Sequence, residues 1–220
     1  MYLEKMGSFI DLSLNEKENI SSEIIQKYLA NSKSHITCFS GGKKSTVLLH
    51  LLRRNYAGPL RALRVNTTLD FDNINQYCEK MRKLWRLEIL EVTPEDTDSK
   101  IIGVSGECCK KLIWGPLRKA ISENRIDFAF IGFTHDSKSK FTKDLTMDGD
   151  STKYIYPLFH FTDADIREYI KKYNLPCCSL YDHGYTNIDC KPCTATIAEK
   201  AMDKGEEERI KEKLRKLGYL

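Results

Sequence analysis

Short runs of apolar, β-favouring residues alternate along this chain with longer stretches whose apolar positions recur every three or four residues. The runs fall at 35–39, 60–65, 87–92 and 128–132, with a shorter one at 154–157, and Gly58-Pro59 sets off the second with a turn. Helical spacing is densest at 46–52, where Val47, Leu48, Leu49, Leu51 and Leu52 crowd one segment, and it recurs at 73–85, 116–124 and 163–173. Ser21 and Ser22 predict the cap of a helix over 21–30, Asp72 that of the helix over 73–85, and Thr162 with Asp163 that of the last. Residues 1–20 are polar and mixed without a period, 93–106 and 133–151 read as loops, and 175–194 as a turn-rich segment. The charged stretch 196–217 favours helix, and its Glu/Lys/Arg alternation suits a solvated face.

Strands alternating with helices predict an α/β fold, a mostly parallel sheet with helices on both faces, followed by a cysteine-bearing segment and a helical tail. At 220 residues the chain has room for one such domain, divided into an N-terminal extension (1–20), a main body (21–194) and a charged tail (195–220). Ligands of such sheets bind beyond the carboxyl ends of the strands, where residues 40–45, Asn66 and Thr134 fall. The formal net charge of +4 suits an anionic ligand without requiring nucleic acid, and no stretch interleaves basic and aromatic residues as a nucleic-acid groove does. No apolar run approaches the roughly 18 residues of a membrane span, and the first residues lack a signal-peptide pattern, so the expected location is cytoplasmic.

The first β-type run opens into Ser40-Gly41-Gly42-Lys43-Lys44-Ser45 and then into the leucine-rich helical stretch. Glycines let the backbone turn tightly and bring its N–H groups to a ligand, a helix N-terminus adds partial positive charge, and hydroxyls and ammonium groups add donors. This is the chemistry of a phosphate cradle, with a spacing too short for a Walker loop.

Eight cysteines are many for a chain of this size. In a reducing compartment they suit metal ligation or thiol catalysis better than disulfides. Cys108-Cys109 and the later Cys190-Lys191-Pro192-Cys193 offer four thiolates, enough for zinc or for a cubane iron–sulfur cluster. Adjacent cysteines on a helix project about 100° apart and fit a several-iron object better than one zinc ion. Cys38 and Cys78 lie within a strand and a helix and read as small buried hydrophobes. Cys177 and Cys178, after Pro176 in the turn-rich segment, are candidates for a redox thiol or a substitute ligand.

Residues 40–45 resemble the PP-loop of the ATP-pyrophosphatase superfamily, usually Ser-Gly-Gly-Lys-Asp-Ser, with Lys44 standing where that pattern has aspartate. That departure weakens any metal-assisted step that used the carboxylate. Further motifs are similar, in order, to those of the adenylylsulfate (APS) reductases in the phosphoadenylylsulfate (PAPS) reductase family. They are Cys108-Cys109-Lys110 with Pro116-Leu117-Arg118-Lys119-Ala120, Gly132 to Ser137, Pro157-Leu158, and Leu180-Tyr181-Asp182-His183-Gly184-Tyr185 leading into Ile188-Asp189-Cys190-Lys191-Pro192-Cys193-Thr194. The resemblance covers about 36–194 and implies an adenine nucleotide alpha hydrolase-like fold. It also implies ATP or APS/PAPS as ligand, with Mg2+ as an accompanying ion, and a [4Fe–4S] cluster on Cys108, Cys109, Cys190 and Cys193. A sulfur donor or a thioredoxin-like reductant is the partner it implies, and in nucleic-acid-thiolating relatives the acceptor is nucleic acid. On this resemblance Ser40, Gly41, Gly42, Lys43 and Ser45 hold pyrophosphate and Lys44 contacts the same phosphates. Asn66 and Thr67 face the ribose or adenine, and Asp136 and Lys138 reach the far phosphates.

The family's reductases attack the nucleotide's sulfate with a cysteine in a C-terminal tail, and here no cysteine follows Cys193. Three functions therefore compete. The first is cleavage of ATP between the α and β phosphates, with adenylation of an acceptor and sulfur transfer. The second is sulfonucleotide reduction with Cys177, Cys178 or a partner's thiol as nucleophile. The third is a non-catalytic nucleotide-binding protein with a structural cluster. Lys43, Cys177 and Cys178 are the catalytic candidates, and nothing in the pattern specifies an oligomeric state.

Overall fold

A computed structural model describes residues 11–32, 34–95, 107–134, 146–149, 151–201 and 205–218. Six strands, β1 (His35–Cys38), β2 (Arg61–Val65), β3 (Glu88–Val92), β4 (Phe128–Phe130), β5 (Thr146–Asp148) and β6 (Lys153–Ile155), form one sheet in the order β3-β2-β1-β4-β6-β5. Every neighbouring pair is parallel except β5 with β6. Thr37 stands level with Ala62 on one side of β1, and Ile36 with Ala129 on the other.

Side chains alternate across this sheet and both faces are buried, as parallel sheets require. Ala62, Phe130 and Ile155 join a core with α1 (Leu14–Leu29), α2 (Lys43–Asn55), α3 (Asp72–Trp85) and, further along the chain, the helix Asp163–Lys172. Ile36, Leu63, Ala129 and Tyr154 face Leu117, Ala120 and Ile121 of a helix on the opposite side. That second helix is reached through α4 (Glu107–Cys109), a π-helical stretch Lys110–Trp114, and then α5 (Gly115–Glu123). The π turn has a local cause. Pro116 has no N–H to extend the ordinary ladder, and the N–H of Gly115 reaches back to the Lys110 carbonyl. The C-terminal part adds α6 (Asp163–Lys172), a 3-10 helix Ser179–His183, α7 (Ile197–Ala201) and α8 (Glu206–Lys216).

The α/β architecture is the expected one, and several boundaries differ. Helix α1 begins at Leu14, where Ser13 and Glu16 form a capping box, so Ser21 and Ser22 lie inside it and Ser21 Oγ donates to the Pro157 carbonyl at 2.8 Å. Asp72 is the first residue of α3 and its side chain caps nothing; Phe71 holds the cap position. Thr162 does cap α6, in a capping box with Asp165. Strand β5 lies within the stretch read as a polar loop. The tail divides into α7 and α8, and Leu214 of α8 is 3% exposed, so this helix is not solvated all round. Among the described residues no helix is long and apolar enough to cross a membrane.

Candidate functional site

The chain builds outward from β1 through β2 to β3, then returns to the other side of β1 with β4. Loops leaving β1 and β4 diverge at that point, and the divergence opens the crevice in which such sheets bind ligands. The loop after β1 is Phe39–Gly42, and α2 starts at Lys43. Gly41 takes a left-handed φ of +78°, and a β-carbon there would stand 2.8 Å from Cys78 Sγ, so only glycine fits without a shift. From the β4 side, Gly132 passes so close that a β-carbon would lie 3.2 Å from the Lys44 carbonyl carbon and oxygen. The cradle is thus pressed between α3 and the exit of β4.

Helix α2 starts without a side-chain cap and without an acidic residue in its first turn, which leaves the positive end of its dipole uncompensated. Ser45 Oγ donates to the Gly42 carbonyl at 3.0 Å and lies 3.3 Å from Ser40 Oγ, pairing the two hydroxyls on the loop. Thr46 ties the base down, its hydroxyl donating to the Gly42 carbonyl at 3.0 Å and meeting Tyr77 Oη at 2.9 Å. The Lys43 ammonium is half-buried, and burial lowers its pKa while Cys177 opposes the shift. Lys44 pairs with Asp163 at 2.9 Å, so the base that replaces the family's aspartate is bound to the first residue of α6.

The segment after Pro176 lies over the cradle. Tyr77 Oη donates to the Pro176 carbonyl at 2.8 Å. The Lys43 N–H donates to Tyr181 Oη at 3.1 Å, and the Lys43 ammonium sits 3.8 Å from the centre of the same ring. The two neighbouring cysteines part company here. Cys178 is 1% exposed in the main core, whereas Cys177 is half-buried and interacts with the Lys43 charge. Burial raises the Cys177 pKa and Lys43 lowers it. Cys38 and Cys78 both pack in cores, each pushed up to about 12 by burial.

The other four thiols gather from elements far apart in sequence. Cys108 is buried with Leu69, Leu112 and Leu214, and Cys109 and Cys190 pack against the same cluster. The Cys109 thiol is held strongly protonated by its hydrogen bond with Cys108, then by burial, then by Cys108, Cys193 and Cys190. Burial pushes Cys190 up to about 12, with Cys193 and Cys108 adding to the effect. The 190–193 turn is closed by the Cys193 and Thr194 N–H groups on the Cys190 carbonyl, and the Lys191 N–H donates to Leu69 O at 2.8 Å. Helix α8 covers the group, with Leu214 in its apolar surround, Ile210 packed beside it, and Lys213 bonded to the Thr194 carbonyl and to Glu199. Among the described residues, no three His, Cys, Asp or Glu side chains close on a point as a single ion demands.

Cradle and thiol centre are joined by polar contacts. Cys78, under Gly41, interacts with Arg64, which is 3% exposed and bonds Asp70 at 2.9 Å, Glu91 at 2.6 Å and Asn75 at 2.6 Å. Burial raises the Asp70 pKa against the opposing Thr67 hydroxyl and Arg64 charge. Thr67 Oγ1 donates to Asp70 and lies 3.4 Å from Cys190 Sγ. Asn66 stands at the end of β2 with its amide donating to Glu91 and its oxygen accepting from the Thr68 N–H. Asp136 and Lys138 lie outside the described residues. Tyr181 lies in one of the sequence motifs, but nothing there placed it on the cradle, and Arg64 and Asp70 belong to no motif.

Residues 34–196 match the family model described as phosphoadenosine phosphosulfate reductase domain. The chain is 25% identical to an adenosine 5'-phosphosulfate reductase of Bacillus cereus, over 86% of each chain. Its fold is similar to the crystal structure of phosphoadenylyl-sulfate (PAPS) reductase from Candida auris in a phosphate complex (TM-score 0.65, 14% identity, 84% of this chain and 99% of that one). It is also similar to Candida glabrata FMN adenylyltransferase with FMN and the ATP analogue AMPCPP (TM-score 0.67, 15% identity, 83% of this chain and 67% of that one). At those identities the two structures speak for the fold alone.

Proposed function

Because the chain belongs to the phosphoadenosine phosphosulfate reductase domain family, we propose that it binds ATP at residues 40–45 and cleaves it between the α and β phosphates, adenylating an acceptor for sulfur transfer. The observation that carries this reading is the start of α2 at the sheet's divergence point, with Ser40 in the loop before it, Lys43 and Ser45 in its first turn, and no acid there. An acceptor oxygen attacks the α phosphorus, the bridging P–O bond breaks, and its electron pair leaves with pyrophosphate. Donors already aimed at the leaving group stabilise that growing charge at little cost in reorganisation. The donors gathered at this position are Lys43, whose N–H and ammonium are directed at Tyr181, and the hydroxyls of Ser40 and Ser45, which bond each other, Ser45 also donating to the Gly42 carbonyl. Lys44 belongs to the ion pair with Asp163 and holds α6 against the cradle.

Cys108, Cys109, Cys190 and Cys193 are the residues that would hold an iron–sulfur cluster. Cys108, Cys109 and Cys190 share one apolar bed, with Cys193 exposed beside them, and an adjacent cysteine pair on a helix fits a multi-iron object better than a tetrahedral zinc ion. Such a cluster supplies sulfur-handling or electron-transfer chemistry beside the nucleotide. Arg64, Asp70 and Thr67 fix Cys190 relative to the cradle.

One observation favours a second reading. The Cys177 thiol interacts with the cradle lysine, and an adenosine 5'-phosphosulfate reductase is among the relatives. In that chemistry the Cys177 thiolate attacks the sulfate sulfur, the sulfur–oxygen bond to the phosphate breaks, and the nucleotide leaves. A thioredoxin-like dithiol then supplies two electrons and releases sulfite. Purified protein incubated with ATP, with water as the acceptor, and separately with APS and PAPS in the presence of thioredoxin discriminates between them. Pyrophosphate and AMP from ATP are expected, unaffected by Cys177→Ser. Sulfite from APS or PAPS that disappears in Cys177→Ser would replace the first reading with the second. Tight nucleotide binding with no product would reject both.

A further inference from the structure

Every donor that Lys43 could offer a phosphate is directed at one side chain. Its backbone N–H donates to Tyr181 Oη at 3.1 Å, and its ammonium lies 3.8 Å from the Tyr181 ring centre. The phenol oxygen also sits against the loop itself, since a β-carbon on Gly42 would stand 3.6 Å from it. The hydroxyl thus takes, at the start of α2, the place where an anion's oxygen would accept.

We propose that Tyr181 is the resident occupant of the phosphate cradle and that a nucleotide's phosphate must displace it. This rests on residues 40–45 being the phosphate site. The phenol is a neutral acceptor, its pKa pushed up to about 12 by burial. A phosphate oxygen carries charge, and charge-assisted hydrogen bonds are roughly twice as strong as neutral ones, so the exchange runs toward phosphate. The surrounding backbone is anchored, so the displacement is one of the phenol side chain. Tyr181 lies in the short 3-10 helix Ser179–His183, which ends at Gly184 with a left-handed φ of +82° and open space around its α-carbon. Upstream, Cys178 is fixed in the core, and Tyr77 holds the Pro176 carbonyl. Leu180, 6% exposed in the main core, and Ser179, bonded by Asn73 at 3.0 Å, stay in place, so the part that moves is the Tyr181 side chain.

The proposal fixes the sign of a substitution. Tyr181→Phe keeps the ring under the ammonium and removes only the competing acceptor. Titration calorimetry with inorganic pyrophosphate and with ATP should show the variant binding tighter than the wild type by about three- to tenfold, the equivalent of one net hydrogen bond. Hydrogen exchange should slow across 41–45 when pyrophosphate is added to the wild type. Equal or weaker binding by Tyr181→Phe overturns the proposal, and so does slowed exchange across 179–183, which would mean that the tyrosine stays and clamps the ligand. Lys43→Ala separates this from the reading beneath it. If Lys43→Ala abolishes binding while Tyr181→Phe does not improve it, only the displacement idea falls. If Lys43→Ala binds like the wild type, or the wild type binds neither ligand, the cradle reading falls and takes this inference with it.

Discussion

The two cradle glycines are not equivalent. Gly41 needs its left-handed backbone, and its missing side chain leaves room for Cys78 Sγ at 2.8 Å and Ile74 Cγ2 at 3.2 Å. Gly42 has an extended backbone, with nothing nearer to a β-carbon than Ser40 Oγ at 3.5 Å. Gly41→Ala should cost roughly 1–3 kcal/mol of stability through backbone strain and the clash, and it should weaken pyrophosphate binding as well. Gly42→Ala should cost under about 1 kcal/mol, the difference between glycine and alanine at a helix cap. Urea titrations of the two variants check this, and coincident midpoints would contradict it. Adding Cys78→Ala to Gly41→Ala should restore only part of the loss, because the φ angle remains. These glycines were legible as a pair in the sequence, since a strand, two glycines and a helix are a local pattern. The role of Lys44 was not, because its partner Asp163 comes from a distant helix. For the same reason the motif that holds Tyr181 did not show that its hydroxyl meets Lys43.

Helix α2 also carries a half-buried histidine, His50. His50 Nδ1 and Tyr169 Oη share a hydrogen bond of 2.8 Å, and the imidazole packs against Trp85 and Tyr173. Burial, and then the charges of Arg54 and Arg53, lower its pKa to about 4 against a weaker pull from Glu18. The folded protein therefore holds His50 neutral where the unfolded chain would bind a proton. Its contribution is fully present above about pH 6.5, the unfolded value, and is lost as the pH falls toward 4. Denaturant midpoints measured from pH 7 to 4 should fall more steeply for the wild type than for His50→Gln, which keeps a polar partner for Tyr169 and does not titrate. Parallel profiles would show that the ring is not held neutral. The same helical layer explains why the start of α1 went unseen. Its inward positions include Lys17 and Glu18, and these are satisfied by Asp165 and by Lys172, Arg54 and Tyr173. Charged residues facing inward erase the apolar period from which a helix is recognised. Strand β5 escaped for a different reason, being three residues long on the sheet's edge.

At the scale of the molecule, the alternation of strands and helices was enough to foresee a largely parallel sheet, because both its faces are buried and its strands read as apolar runs. Which strands neighbour which was not foreseeable, and neither was the way α8 reaches the thiols. Its sequence is mostly charge, and among its described residues Leu214 and Ile210 supply the apolar contacts to the thiols. The thiol centre draws together α4, the 190–193 turn, the β2–α3 loop through Leu69, and α8. Those parts are brought together only by folding, so an inorganic group bound there binds the folded chain and not the unfolded one. Ligation of that kind adds about 2.7 kcal/mol when the ligand is at a hundred times its dissociation constant. For a domain of this size each kcal/mol moves the melting temperature by about 2–4 °C. Protein purified without oxygen and reconstituted with iron and sulfide should therefore melt on the order of 5–10 °C higher than after treatment with a chelator. Cys109→Ser and Cys193→Ser should each lower the iron content, melt near the chelated wild type, and be almost unmoved by the chelator. A wild type whose melting temperature ignores both iron and chelator would leave the four cysteines as a packing cluster and remove the cluster from the proposed chemistry.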